Sequence, residues 1–146
     1  MTVREGLGRI FNVVYPADDV YINLRDCTSV AFVVHEVDGA TQATVTFSDD
    51  ASGTTTSTPD VIDHYYGSSP DQDNSGEWHK TTQTAAELVT PADTTEDLAV
   101  IEVNDEMAPD GMRYVKVTAD GSATVLAILH GLQEQRDPAN LPSPRV

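Results

Sequence analysis

The chain has 146 residues and a net charge of −16, from 24 acidic and 8 basic side chains. Such an acidic surface repels bare DNA, RNA and anionic membranes, so we expect no nucleic acid and no membrane among its partners. The length fits one domain, a hydrophobic content of 39% predicts a folded one, and the single cysteine, Cys27, excludes an internal disulfide or a multi-cysteine zinc site.

The sequence shows no run of the roughly 18 apolar residues that a membrane span requires. Residues 1–9 carry two arginines, a glutamate and two glycines and lead into no apolar run, which argues against a signal peptide. We therefore expect a soluble protein that is made in the cytosol and either stays or is assembled there.

Alternating and β-branched residues predict short strands in the first third of the chain. The first two are expected at residues 9–15 and 20–24. Residues 29–37 form the run richest in β-branched residues, and it ends in Asp-Gly, a strong signal for a two-residue hairpin turn. Its partner is expected at residues 42–47, so that these two strands form an antiparallel hairpin.

A loop and a short helix are predicted next. Residues 48–57 are rich in Asp, Ser, Gly and Thr, which is typical of a loop. Thr-Pro-Asp at 58–60 combines a cap residue, a proline at the first helical position and an acid in the first turn, which predicts a helix start that Gly67 would close. The span is short, so we expect one turn of helix. Residues 68–76 are predicted to form a second loop.

Four more strands are predicted in the second half of the chain, at residues 77–84, 98–103, 113–118 and 123–129. In the first of them Trp78, Lys80 and Thr82 share one side. The last two flank Ala-Asp-Gly-Ser and are predicted to pair as a second hairpin.

These elements add up to an all-β fold. About eight short strands separated by turns, with no sustained helical period, predict an antiparallel β-sandwich or jelly roll. We expect this body to span residues 9–132, with an N-terminal arm at 1–8. An extended C-terminal arm is expected at 133–146, where three prolines exclude a helix or a central strand.

A short acidic segment raises the question of a metal site. Residues 71–76 resemble the first half of a calcium-binding loop, which makes Asp71 and Asp73 candidate ligands. The bidentate glutamate expected at the twelfth position is Thr82, so we favour the alternative, a polar turn held by its own side chains. The Asp-Asp pair at 49–50 is a weaker candidate.

The sequence offers little support for catalysis or for a cofactor. Its four histidines lack the spacing of metal ligands, and it contains no nucleophile elbow or phosphate-binding glycine loop. Asp26 precedes Cys27 and is expected to raise the pKa of the thiol, which argues against an activated thiolate. We therefore expect no enzyme activity, no catalytic residue and no cofactor.

Three aromatic residues, Trp78, Tyr65 and Tyr66, are candidates for a platform that binds a sugar or a partner protein. Aromatic rings suit such a platform because they combine contact area with a polar handle. The alternative, which we favour for a lone tryptophan in a strand, is that Trp78 packs in the core.

The last third of the chain carries a recognisable order of motifs. They are Ala-Pro-Asp-Gly-Met-Arg-Tyr-Val-Lys-Val-Thr at 108–118, Gly-Ser-Ala-Thr-Val-Leu-Ala-Ile-Leu at 121–129 and Arg-x-Pro-x-Asn-Leu-Pro at 136–142. Here the chain resembles small structural proteins of tailed bacteriophages, particularly those infecting actinobacteria, and among them the capsid decoration or minor head proteins. The resemblance covers about the last 40 residues, and the rest is similar only in being acidic, threonine-rich and β-rich.

The resemblance implies a structural virion protein on the outside of the capsid, made in the host cytoplasm, that binds the major capsid protein as a homotrimer and stabilises the shell. Arms that reach across a subunit boundary suit this role. The candidate partner contacts on the two arms are Arg4, Arg9, Arg136, Leu141, Arg145 and Val146. A carbohydrate- or receptor-binding sandwich module of a virion, using Trp78 and Tyr65, is the alternative.

Removing residues 137–146 is predicted to leave the sandwich folded and to weaken its binding to the capsid, because the arm contributes contact area and not core. Thermal unfolding and cosedimentation with heads that lack the protein measure these two properties separately. Loss of the folded state would show instead that the tail belongs to the core.

Overall fold

The computed structural model describes residues 13–36, 42–68, 77–83, 87–89 and 97–131. Within these ranges the secondary structure consists of eleven β-strands and one short 3-10 helix at Asp105–Met107. In chain order the strands are β1 (Val13–Val14), β2 (Ile22–Asn23), β3 (Ser29–Glu36), β4 (Gln42–Ser48), β5 (Thr56–Ser57), β6 (His64–Ser68), β7 (His79–Thr82), β8 (Glu87–Val89), β9 (Asp97–Asn104), β10 (Tyr114–Ala119) and β11 (Thr124–His130).

The strands form two antiparallel sheets. The larger has six strands in the order β1-β11-β3-β9-β6-β7, and the smaller has the order β2-β10-β4, with β5 and β8 both paired to β4. The predicted all-β antiparallel sandwich is confirmed. Strands beyond the predicted eight or so are pieces of two or three residues, such as β5 and β8, which are too short to leave a periodic signal in the sequence.

The core lies between the sheets and is built from alternate residues of the long strands. The largest of its fully buried side chains are two phenylalanines, an isoleucine and seven valines: Phe32, Phe47, Ile101, Val30, Val34, Val45, Val103, Val115, Val117 and Val125. Burial of each contributes roughly 1.5–3 kcal/mol relative to exposure. The β-branched valines also have stiff side chains that pack well on a pleated surface, so the same residues favour the strands and fill the core.

Both predicted hairpins are wrong, although all four of their strands are present. β3 belongs to the six-stranded sheet and β4 to the smaller one, and β11 and β10 are divided in the same way. A hairpin and a crossover between facing sheets place alternate residues on the core in the same manner. A turn signal between two strands is compatible with both arrangements, so the pattern in the sequence does not distinguish them.

The four strands of the predicted hairpins form one antiparallel ribbon that is folded over the core. β3 pairs with β11 in the larger sheet, and β4 pairs with β10 in the smaller one. Asp120 fastens the corner between them: its side chain accepts the backbone N–H of Gln42 at 2.7 Å, and its own N–H donates to the Gln42 carbonyl at 3.0 Å. β1 and β2 follow the ribbon along one side, and β9 and β8 along the other.

The helix predicted from residue 58 to Gly67 is also wrong. Residues 58–63 form an irregular turn, in which the N–H of Val61 donates to the Pro59 carbonyl at 2.9 Å, and β6 follows it. Within β6, Tyr65 is buried and Tyr66 is exposed, so burial alternates with the period of a strand. Thr-Pro-Asp is favourable for a turn as well as for a helix, and the pairing of β6 with β9 decides between them.

The other predicted elements are found with shifted ends. β2, β9, β10 and β11 correspond to the strands predicted at 20–24, 98–103, 113–118 and 123–129. β7 is shorter than the predicted 77–84. β1 lies within the strand predicted at 9–15, of which residues 9–12 are outside the described ranges. The loop predicted at 48–57 is present between the end of β4 and the start of β5, and its last two residues form β5. Most of the loop predicted at 68–76 lies outside the described residues.

Gly131, which follows β11, tests how closely the chain after β11 approaches Thr28, the residue before β3. Its φ is +61°, and a Cβ there would lie 2.2 Å from the Thr28 hydroxyl oxygen. Gly131→Ala is expected to lower the free energy of unfolding by about 2–4 kcal/mol, because a left-handed backbone and a steric clash both oppose the methyl group.

Gly121→Ala is the matched control, because Gly121 has a φ of +67° but no atom within 4 Å of a Cβ. It is expected to lose only the backbone contribution, about 1–2 kcal/mol. Urea unfolding measures both changes. Equal losses in the two variants would contradict the close approach of Gly131 to Thr28.

Candidate interaction surface

The site residues predicted on the two arms and in the calcium-like loop lie outside the described residues. They are Arg4, Arg9, Asp71, Asp73, Arg136, Leu141, Arg145 and Val146. Their roles stay predictions, and the described surface has to be read for other candidates.

The outer face of the six-stranded sheet is apolar, which the sequence analysis missed. On β3, β9 and β11 the inward residues fill the core, yet the outward residues near the middle of each strand are also aliphatic. Val33, Val100, Leu126 and Ile128 are partly exposed there, and Ala31 is buried beside them. We call Ala31, Val33, Val100, Leu126 and Ile128 the aliphatic face. The signal in the sequence was the unbroken apolar character of these strands, since a strand with one solvated face is expected to alternate.

The register of the sheet brings these side chains together in rows. Leu126 lies opposite Val33, Val33 lies opposite Val100, and Ile128 lies opposite Ala31. Side chains that are directly opposite in an antiparallel pair have Cβ atoms roughly 4.5–5.5 Å apart. The aliphatic face is therefore continuous across three strands.

The outer face of the smaller sheet has the opposite character. Its central strand β4 carries Thr44 and Thr46 there, which lie opposite Thr118 and Lys116 of β10. These side chains are partly or fully exposed, and threonine and lysine suit a solvated strand surface. The sandwich is thus two-sided, with one polar outer face and one apolar outer face.

Charge is scarce on the aliphatic face although the chain carries a net charge of −16. Among the described side chains, Glu102 lies opposite Ala31 at one margin, and Lys80 lies beyond Tyr66 at another. Depletion of charge at the centre of a surface patch is a feature of protein interfaces.

Two aromatic side chains extend this face at the β6–β7 edge. Tyr66 and Trp78, which we call the aromatic pair, are 40% and 53% exposed. The favoured prediction that Trp78 packs in the core is therefore wrong. Tyr65 is buried and points into the core, so it takes no part in the predicted platform.

The strand register explains these exposures. Positions 78, 80 and 82 are exposed and alternate with half-buried 79 and 81, which confirms that Trp78, Lys80 and Thr82 share one side. Tyr66 lies opposite Lys80 in the β6–β7 ladder and therefore projects from the same face. The ring of His64 stands against Tyr66 with centroids 5.5 Å apart at 89°, and its Nδ1 atom lies 2.5 Å from Asp63 Oδ1.

The acidic loop after β4 uses its carboxylates to hold itself. Asp50 accepts hydrogen bonds from the N–H groups of Ser52 and Thr54, at 2.8 and 3.1 Å, and from the Thr54 hydroxyl at 2.6 Å. Asp49 accepts from the N–H of Thr55 at 3.0 Å. The hydrogen bonds from Thr54 to Asp50 and from Thr55 to Asp49 hold the pKa of each carboxyl below its usual value, as expected for a turn stabilised by side chains.

The described residues also bear on metal and thiol chemistry. Among them, no three His, Cys, Asp or Glu side chains come together in a group that fits a metal ion. Burial, with smaller contributions from Asp26 and Asp105, raises the pKa of Cys27 to about 12. The expected effect of Asp26 on the thiol is confirmed, and Cys27 remains a protonated, buried thiol at neutral pH.

A polar network fastens the chain between β1 and β2 to the outer face of the smaller sheet. Asp19 has a positive φ of 58° and accepts hydrogen bonds from the ammonium group of Lys116 and, at 3.3 Å, from the hydroxyl of Thr118. Lys116 also lies 4.9 Å above the ring of Tyr21. The hydrogen bond to Lys116 lowers the pKa of Asp19, and the same bond raises the pKa of Lys116.

Asp19→Asn is expected to destabilise the protein by about 0.5 kcal/mol at pH 7, the usual scale for a partly exposed ion pair. Asparagine tolerates the positive φ, so the variant removes mainly the charge. Because the pKa of Asp19 is lowered in the folded state, its stabilisation is present above the unfolded pKa, about 3.9, and is lost as the pH falls through the folded value.

The difference between wild type and Asp19→Asn should therefore disappear in acid. Urea unfolding between pH 2 and pH 7 measures it, with Asp110→Asn at an exposed turn as the control. A difference that stays constant down to pH 2 would contradict the ion pair.

Comparison of the chain with family models, with curated proteins and with solved structures finds no match. In the part of the chain that the structure describes, no helix is both long and apolar enough to cross a membrane. The function has to be inferred from the two-sided sandwich, with its aliphatic face and its aromatic pair.

Proposed function

We propose that this chain is a structural virion protein of a tailed bacteriophage, a capsid decoration protein that binds the outer surface of the major capsid protein shell and stabilises it. The observation that carries the proposal is the aliphatic face. Apolar side chains spread over three neighbouring strands gain free energy when a partner removes them from water, about 25 cal/mol for each Å² of apolar surface. Such patches on a folded protein mark interaction sites.

Charge restricts the kind of partner. The chain carries a net charge of −16, so a partner surface rich in Lys and Arg is attracted and an acidic one is repelled. The complementary surface on the shell is accordingly an apolar patch with a basic rim. In the proposed homotrimer each copy turns its aliphatic face to the shell and its threonine-rich outer face to solvent.

The motifs of the last third of the chain support the same role, because they resemble those of capsid decoration and minor head proteins. Part of these motifs forms β10 and β11, and β11 contributes Leu126 and Ile128 to the aliphatic face. The arms stay part of the proposal as additional contacts, with Arg4, Arg9, Arg136 and Arg145 as donors to capsid carboxylates. The protein would act at the outer surface of the virion after synthesis in the host cytoplasm.

A binding assay with two matched double variants tests the aliphatic face. Val33→Glu with Leu126→Glu places charge on the aliphatic face, and Thr44→Glu with Thr46→Glu places the same charge on the opposite outer face. Cosedimentation with expanded heads, assembled without this chain from the major capsid protein of the same genome, measures the Kd. The first variant is expected to raise the Kd at least tenfold, about 1.4 kcal/mol, and the second to change it less than twofold.

Thermal unfolding confirms that both double variants are folded before they are compared. A wild-type chain that does not bind such heads would contradict the decoration role itself. Wild-type binding that both variants retain would preserve the role and contradict the assignment to the aliphatic face.

A further inference from the structure

We propose that the aromatic pair, Tyr66 and Trp78, forms a second binding site, whose ligand is a neutral saccharide. The chain has a single tryptophan, and the fold leaves more than half of it exposed at the end of the six-stranded sheet. Tryptophan and tyrosine bury large areas when they pack, so the exposure of both on one face forgoes core stabilisation and points to a ligand.

The ladder gives the position of Tyr66 and indicates that of Trp78. Tyr66 lies directly opposite Lys80, and Trp78 is two residues before Lys80 on the same face. Trp78 directly precedes β7, and continuing the alternation of the ladder by one residue places it diagonal to Tyr66. Diagonal neighbours in an antiparallel pair lie about 7–8 Å apart. Two rings at this spacing on a sheet edge present a surface that a short oligosaccharide can cover.

The polar groups around the two aromatic rings can bond the hydroxyl groups of a sugar. A pyranose ring has an apolar face of C–H groups and a rim of hydroxyls that need hydrogen bonds. The imidazole ring of His64 packs against Tyr66, and its Nδ1 atom is hydrogen-bonded to Asp63. Its Nε2 atom lies on the other side of the imidazole ring, where it can bond a sugar hydroxyl. The ammonium group of Lys80 and the hydroxyl of Thr82 lie on the same face.

The aromatic pair differs from the aliphatic face in this respect. Leu126, Val33 and Val100 lie opposite one another in one row with no polar side chain between them, which suits the apolar centre of a protein interface. The rings of Tyr66 and Trp78 alternate with hydrogen-bonding groups. The net charge of −16 repels anionic glycans, so the ligand class is a neutral one.

Trp78 itself reports on the site, because the intrinsic tryptophan fluorescence of the chain comes from this residue alone. The full chain is titrated with neutral tetrasaccharides of glucose, mannose, galactose and N-acetylglucosamine, and with sialyllactose as an anionic counterpart. At least one neutral tetrasaccharide is expected to shift the emission, and sialyllactose is expected to leave it unchanged. No shift with any of the four would overturn the proposal.

Matched variants locate the binding. Tyr66→Ala is expected to weaken the responding saccharide at least tenfold, while Tyr15→Ala, which removes an exposed tyrosine after β1, is expected to leave its affinity unchanged. Equal affinities in the two variants would overturn the site. If Tyr66→Ala weakens binding to heads and not to the saccharide, the aromatic pair belongs to a protein interface and the saccharide assignment is wrong.

This inference does not depend on the capsid role. The two proposals are tested with different ligands and different side chains, Tyr66 for the saccharide and Val33 with Leu126 for the shell. Either can therefore fail while the other stands.

Discussion

The structure depends on one constraint: a short chain must bury two apolar strand faces against each other, and it does so by folding an antiparallel ribbon over itself. β3 and β11 form one half of the ribbon and β4 and β10 the other, so their valines and phenylalanines meet across the core. The bonds between Asp120 and Gln42 hold the ribbon where it passes from one sheet to the other. Once this corner is fixed, the flanking strands add to both halves by ordinary ladder pairing.

The folded ribbon also determines which surfaces remain for function. The inward residues of β3, β9 and β11 suffice to line the core on the side of the larger sheet, and the outward residues Val33, Val100 and Leu126 are not needed there. The smaller sheet has the same pattern of inward residues, but the side chains on its outer face are threonine and lysine. Packing within the described residues explains the inward residues of both sheets, and it leaves Val33, Val100 and Leu126 on the outer face without a role in the core.

The sequence predicted most of the strands and little of their arrangement, for a physical reason. Strand formation depends on local alternation and β-branching, which residues 29–37 and 42–47 show directly. Whether two such strands pair or face each other depends on partners far along the chain, here β11 and β10. Trp78 illustrates the same limit. The alternation in the sequence predicted that Trp78 and Lys80 share one side of the strand. That this side faces outward follows only from the pairing of Lys80 with the exposed Tyr66.

The excess of acidic residues has a structural use that follows from the scarcity of basic ones. With 24 carboxylates and 8 lysines and arginines, most carboxylates cannot find a cation. Asp49, Asp50 and Asp120 accept hydrogen bonds from backbone N–H groups at turns and corners instead. For Asp49 and Asp50 these bonds favour the charged form and lower the pKa. These three carboxylates therefore lie at turns and corners of the described structure and away from the aliphatic face. The centre of the larger sheet's outer face stays aliphatic, so a strongly acidic protein can still offer a partner a surface whose desolvation costs little.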